Sequence, residues 1–212
     1  MKKLVIYGDS ISTIECANGG YQSKLMPKIP FDVVCNHAVG ASGLATGTPN
    51  NLISILEDPS KVHADADLVL LWHGTNDWYW GTPLGEETDI DPSTYYGGLK
   101  VAVERIRQAA PQAKIMAFTP LFRLQAPDGC EIEAEAYDNP NKIGLTLAAY
   151  RDALIRVGAR YSFPVVDLRT LTNFNLYNYP IYMPDKVHPS ESGCEVLATI
   201  MANHIKLYGY DL

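Results

Sequence analysis

Apolar residues fall along this chain in short dense runs, separated by longer stretches with a helical period. Lys3–Tyr7, Phe31–Cys35, Leu68–Trp72, Lys114–Phe118 and Pro164–Leu168 are the runs, each rich in branched side chains. Runs of roughly this length, apolar throughout, fit strands buried on both faces of a parallel sheet. Between them, Tyr95–Ala109 repeats apolar positions at Leu99, Val103 and Ile106 and stops before Pro111. Gly144–Tyr161 repeats Leu147, Tyr150, Leu154 and Val157. Ser190–Leu207 opens on a serine that can cap it and continues through Val196, Ile200, His204 and Leu207. These spacings predict three helices. Strands alternating with helices predict βαβ units with right-handed crossovers and a parallel sheet covered on both faces, an α/β fold.

Composition narrows the class. The 212 residues predict one domain spanning 1–212, with no repeat, linker or low-complexity tract. A chain with 47% apolar and 19% charged residues is not disordered. The net charge of −7 argues against nucleic-acid and anionic-membrane partners. Lys2 and Lys3 before an apolar run resemble the start of a signal peptide, but the run ends at Tyr7. A signal needs roughly 7–15 apolar residues, and a membrane span roughly 20. The expectation is a cytoplasmic protein. Cys16, Cys35, Cys130 and Cys194 are scattered with no C-x-x-C pair, so they read as reduced thiols rather than a zinc site or a disulfide framework.

A parallel sheet presents its ligands at the carboxyl ends of its strands. After the first run comes Gly8-Asp9-Ser10, and after the second Gly40-Ala41-Ser42-Gly43. After the third comes Gly74-Thr75-Asn76-Asp77, and beyond the fifth Asp185-Lys186-Val187-His188-Pro189. Ser10 follows a strand and a glycine and is expected to open a helix, whose positive end favours a developing negative charge. Serine is equally an ordinary cap. A nucleophilic serine needs an imidazole to take its proton and a carboxylate to orient that imidazole. His188 and Asp185, three residues apart, can supply both from one turn, although the same spacing suits a plain surface turn between Pro184 and Pro189. Asn76 can donate a side-chain amide to an oxyanion or simply form a turn. Gly43 can offer a backbone N–H that no side chain screens, with the N–H of Ser10 as a third donor.

Taken in order, the blocks Gly8–Ser12, Gly40–Gly43, Gly74–Asp77 and Asp185–Pro189 resemble those of the SGNH hydrolase family, the GDSL-type esterases and lipases. The resemblance runs from residue 4 to about 205. It implies a flavodoxin-like three-layer α/β/α sandwich, with five parallel strands in the order 2-1-3-4-5. It implies Ser10 as nucleophile, His188 as base and Asp185 as its orienter, and an oxyanion hole formed by Ser10, Gly43 and Asn76. Gly43 is preferred to Gly40 on alignment to the second half of its block. The first block departs slightly, reading Ser10-Ile11-Ser12 where a leucine commonly follows the serine. Asp9 and Asp77 read as anchors behind the catalytic loops.

The implied activity is that of a serine esterase acting on a small-molecule ester. The small domain, the lack of an apolar surface helix of the interfacial-lipase kind and the polar-aromatic loops add the expectation of a short acyl group, acetyl above all, with a carbohydrate as one candidate carrier. An acyltransferase, or a lysophospholipase or thioesterase, uses the same scaffold. A non-catalytic flavodoxin-like binding module is the competing class, but it has no need of serine, aspartate, histidine and asparagine in this register. Trp78, Tyr79, Trp80 and Tyr182 are expected on loops rimming the site, where aromatic rings stack on a sugar or an acyl chain. The acidic Arg123–Lys142 segment reads as a lid or a subunit contact, which leaves a homo-oligomer open. No metal or cofactor is implied. His37, His63, His73 and His204 lack ligand spacing, and the glycine-rich block is not a nucleotide-binding loop.

Overall fold

Runs that are apolar on both faces need cover on both faces, and the chain supplies it with helices. The computed structural model describes residues 1–210; Asp211 and Leu212, the end of the expected domain, lie outside the described residues. Strands β1 (Lys3–Gly8), β2 (Val33–Asn36), β3 (Leu68–Trp72), β4 (Lys114–Phe118) and β5 (Val165–Val166) form one sheet in the order β2-β1-β3-β4-β5. All the pairings are parallel, with Val5 beside Cys35 and Val69, and Gly8 beside Trp72. This is the expected α/β architecture and strand order.

Alternation along the strands divides the core in two. Val5, Tyr7, Val69, Leu71, Ile115 and Ala117 point to one face. There they meet helices α4 (Tyr95–Ala109) and α5 (Leu147–Arg160) through Leu99, Val103, Ile106, Tyr150 and Leu154. Leu4, Ile6, Leu68, Leu70, Trp72, Met116 and Phe118 point to the other. They pack against α1 (Gly20–Leu25) and α8 (Glu191–Leu207) through Tyr21, Leu25, Leu197, Met201 and Ile205. Thr94 and Ser190 start α4 and α8 by accepting from the N–H groups of Gly97 and Gly193.

The elements differ from expectation at their edges. β2 starts at Val33 because Phe31 turns away to pack on the Tyr210 ring. β5 keeps only two residues, since the Asp167 carboxylate binds Arg151, Thr119 and Thr170 and Leu168 opens the short helix α6 (Leu168–Leu171). α5 starts at Leu147, after a turn in which the Asn141 side chain accepts from the N–H groups of Ile143 and Leu145. The segment after β3, read as a loop, is helix α3 (Thr75–Trp80). Two four-residue turns, α2 (Leu52–Ile55) and α7 (Tyr179–Tyr182), complete the α-helices among the described residues. None of these helices is long and apolar enough to cross a membrane.

Leu70 is fully buried on β3, the middle strand of the five. Leu70→Ala is expected to cost about 2–5 kcal/mol in urea unfolding with little change in m. A loss below about 1 kcal/mol would contradict a central, doubly covered β3.

Candidate active site

Gly8 ends β1, and the chain turns sharply beyond it. The Asp9 carboxylate accepts from the N–H of Ile11 at 2.9 Å and caps a single 3₁₀ turn, Ser10–Ser12. Ser10 therefore opens one turn, not the helix expected from its position, and a helix dipole contributes little to it. Asn36 at the end of β2 holds that turn from the side, donating to the Ser12 carbonyl at 2.8 Å. The Ser10 hydroxyl is 2.8 Å from His188 Nε2.

The imidazole comes from a turn that Asp185 organises by itself. Its Oδ1 accepts from the N–H groups of Val187 and His188 at 2.9 and 2.6 Å, and Lys186 takes a left-handed conformation, φ 74°, to close the turn. Its Oδ2 lies 2.7 Å from His188 Nδ1. Partial burial pushes the Asp185 carboxyl up, but the two N–H groups and the imidazole outweigh it and hold its pKa below the ordinary range. Serine, histidine and aspartate thus form one continuous chain of hydrogen bonds. In it the imidazole can take a proton from the hydroxyl while the carboxylate steadies the imidazolium. A cleft of about 470 Å³ opens beside Ser10 and His188.

The loops after β2 and β3 meet beside this chain. The Gly8 carbonyl accepts from the N–H of Val39 at 3.0 Å and the hydroxyl of Ser42 at 3.2 Å. Asn76 Nδ2 donates to the Ser42 carbonyl at 2.9 Å. Asp77, fully buried, accepts from the N–H groups of Leu44 and Ala45 and from the Thr82 hydroxyl. Gly43 sits between these ties, and a Cβ there would lie 2.5 Å from the Thr48 side chain, so only glycine fits. Gly74, at φ +130°, turns the chain from β3 into α3 where a Cβ would strike the Tyr95 hydroxyl at 2.8 Å. The N–H groups of Ser10 and Gly43 and the second amide hydrogen of Asn76 meet no acceptor among the described residues.

Residues 6–196 match the GDSL-like lipase/acylhydrolase family. The chain belongs to that family. As a member of a lipase/acylhydrolase family, this protein is a hydrolase. It is similar to a solved structure from Lactobacillus plantarum at 20% identity and TM-score 0.84, over 97% of each chain. It is likewise similar to a possible lipase from Chitinophaga pinensis at 24% identity and TM-score 0.74, over 99% of each chain. The salicylyl-acyltransferase SsfX3 from a tetracycline biosynthetic pathway shares the fold at 19% identity and TM-score 0.68, over 98% of this chain and 55% of that one. No curated protein matches the sequence.

Not every expected residue of this GDSL-like hydrolase lies at the site. Trp78 is corrected from the rim to the core. It is fully buried on the inner side of α3, with its indole N–H on the Asn139 carbonyl. Tyr79 and Trp80 are half-buried and meet edge to face, and Tyr182 stacks on buried Phe174. The Arg123–Lys142 segment is strapped down rather than hanging free. Leu124 donates to the Lys186 carbonyl, Glu133 pairs with Lys186 and Glu135 with Arg169, and Ala136 and Asn141 are buried. His73 is buried against Ser42, and burial pulls its pKa down to about 3, so it stays neutral. His37 and His63 stack on each other, with Nε2 atoms 2.7 Å apart. His204 bonds back to the Ile200 carbonyl within α8. Among the described residues, no cluster of three His, Cys, Asp or Glu is placed to hold a metal. Arg123 was missed altogether. It is buried beside Asn76, and its one sequence signal is its place just after β4, at the same edge of the sheet.

The Asp77 tie makes a pH-dependent prediction. Burial pushes Asp77 from 3.8 up to about 6, against the downward pull of Leu44, Ala45 and Thr82. A carboxyl with a raised folded pKa adds stability while protonated, below its unfolded pKa, and that stability is lost as pH rises through the folded value. Asp77→Asn cannot ionise and lacks this slope. The Tm deficit of Asp77→Asn against the wild type should therefore shrink between about pH 4 and pH 7. A deficit that widens over this window would contradict the raised pKa.

Proposed function

We propose that this hydrolase is a serine esterase that cleaves carboxylic esters with a short acyl group, acetyl above all, through an acyl-enzyme on Ser10. The observation that carries the reading is the unbroken chain from Ser10 Oγ to His188 Nε2 at 2.8 Å and from His188 Nδ1 to Asp185 at 2.7 Å. Ser10 Oγ attacks the ester carbonyl carbon and its proton passes to His188 Nε2. The carbonyl oxygen becomes an oxyanion within reach of the unpaired donors of Ser10, Gly43 and Asn76. The carbon–oxygen bond to the alcohol then breaks, and the alcohol leaves with the proton from His188. Water repeats the sequence, giving its proton to His188 and releasing the acid from Ser10. The short acyl preference is supported by the cleft beside the triad. Short side chains, Thr13, Cys16, Ala17, Pro184 and Pro189, line most of it, leaving an open and mainly apolar cleft of small reach. An alcohol in place of water as acceptor makes the same acyl-enzyme a transferase, the reaction named for SsfX3. Added alcohol would then divert product from acid to new ester.

Two experiments test the reading. Hydrolysis of 4-nitrophenyl acetate, butyrate and octanoate should fall in that order of kcat/KM, and a fluorophosphonate should label the wild type but not Ser10→Ala. Labelling of Ser10→Ala at another serine, or a steady rise towards octanoate, would reject the nucleophile or the acyl preference respectively. In Asn76→Ala the oxyanion loses one donor while two backbone donors remain. That variant should lose about 10²–10³ in kcat with KM little changed, and still label slowly. A folded Asn76→Ala with kcat within about threefold of the wild type would remove Asn76 from the oxyanion site.

A further inference from the structure

Arg123 is a cation in an unusual place. It is 5% exposed and lies just beyond the end of β4, yet no carboxylate among the described residues pairs with it within ion-pair distance. Its partners are neutral oxygens. Nη1 donates to the Thr75 hydroxyl at 3.0 Å, to the Thr75 carbonyl at 3.2 Å and towards Asn76 Oδ1 at 3.5 Å. Nε donates to Gln125 Oε1 at 3.1 Å, and Nη2 donates to the same oxygen. The guanidinium plane lies over the rings of Tyr79 and Trp78, with centroids 4.7 and 5.4 Å away. Burial pulls its pKa down to about 10, and Asp9 and Asp185 pull it back up through space, so it is charged at neutral pH. A buried cation with no carboxylate in direct contact carries a large desolvation cost.

Asn76 is where the charge can be used. Its amide is held from both ends: Nδ2 faces the Ser42 carbonyl and Oδ1 faces the guanidinium. A flipped amide would set oxygen against the Ser42 carbonyl and N–H against a cation, so both neighbours enforce one orientation. In that orientation the remaining amide hydrogen is the one that meets no acceptor. The contact at 3.5 Å is long, and its weight is that of a charge on a dipole rather than a strong hydrogen bond. A cation at the amide oxygen draws electron density away from the nitrogen and makes its N–H a better donor. We infer that Arg123 is a positioning residue for the oxyanion donor Asn76, fixing its amide and strengthening its free N–H. The inference rests on the esterase reading above, in which Asn76 meets the oxyanion.

A double-mutant cycle on 4-nitrophenyl acetate hydrolysis tests it, with Tm recorded for every variant. Arg123→Gln should lower kcat by about tenfold to a hundredfold with KM within about twofold, because the lost interaction strengthens only as the oxyanion forms. In the Asn76→Ala background the same substitution should cost less than about threefold, since the group it acts through is already gone. Arg123→Lys, which keeps a cation but not the planar fork, should fall between the wild type and Arg123→Gln. Equal losses in both backgrounds would mean that Arg123 merely holds the loop, and would overturn the inference. So would a folded Arg123→Gln with wild-type kcat while Asn76→Ala is crippled. A fully active Asn76→Ala would instead overturn the oxyanion reading beneath it. If Arg123→Gln fails to fold, the Arg123→Lys cycle is decisive in the same way: its loss must vanish in the Asn76→Ala background.

Discussion

The carboxylate of Asp77 joins two loops that sequence holds apart. It sits at the start of α3, after β3, and takes the N–H groups of Leu44 and Ala45 from the loop after β2. Strand β1 lies between β2 and β3 in the sheet, so this bridge passes over the end of β1, where Ser10 emerges. Without it the buried N–H groups of Leu44 and Ala45 would lose their acceptor. With it, the loop is buried, Asn76 can reach the Ser42 carbonyl, and Ser42 can reach the Gly8 carbonyl. The bridge needs a fully buried carboxylate, and burial raises the pKa of Asp77 despite the hydrogen bonds it accepts. The N–H groups of Leu44 and Ala45 and the Thr82 hydroxyl offset part of the desolvation.

Much of this was legible in the sequence because it is local or periodic. The doubly apolar runs identify strands whose alternate residues face opposite cores, as Val5 and Ile6 do. The order of the four blocks, each following a strand, was enough to place Ser10, Gly43, Asn76 and His188 at one edge of the sheet. What was not legible depends on length and distance. Helix α3 spans only Thr75–Trp80, too short for a helical period to register, and its limits are set by Gly74 and Gly81, both at positive φ. Reading it as a loop put Trp78 at the rim, whereas one turn of helix carries that side chain into the core. Ser10 opens a single 3₁₀ turn because Asp9 caps it and Asn36 holds it, contacts that no spacing rule encodes. Arg123 escaped notice because its partners Thr75 and Asn76 lie nearly fifty residues upstream in the chain.

The two halves of the proposed site are built on different physical scales. The proton-transfer half needs only a five-residue turn: Asp185 orders its own backbone through two N–H groups and orients the ring three residues on. That half tolerates water, and the side chains of His188 and Asp185 remain 39% and 56% exposed. The donor half draws on the ends of three strands, and it is buried: Asn76 is 8% exposed and Asp77 not at all. The difference follows from what each half must do. An imidazole poised by a covalently nearby carboxylate keeps its geometry through local bonds, whatever the surroundings. Donors that wait for a charge must be aimed before it appears and shielded from water that would compete for it. Only long-range ties through the sheet can hold Gly43 and Asn76 in that way, and those ties pass through two buried ionisable side chains, Asp77 below the loop and Arg123 beside the amide, while a third, Asp9, caps the turn of Ser10.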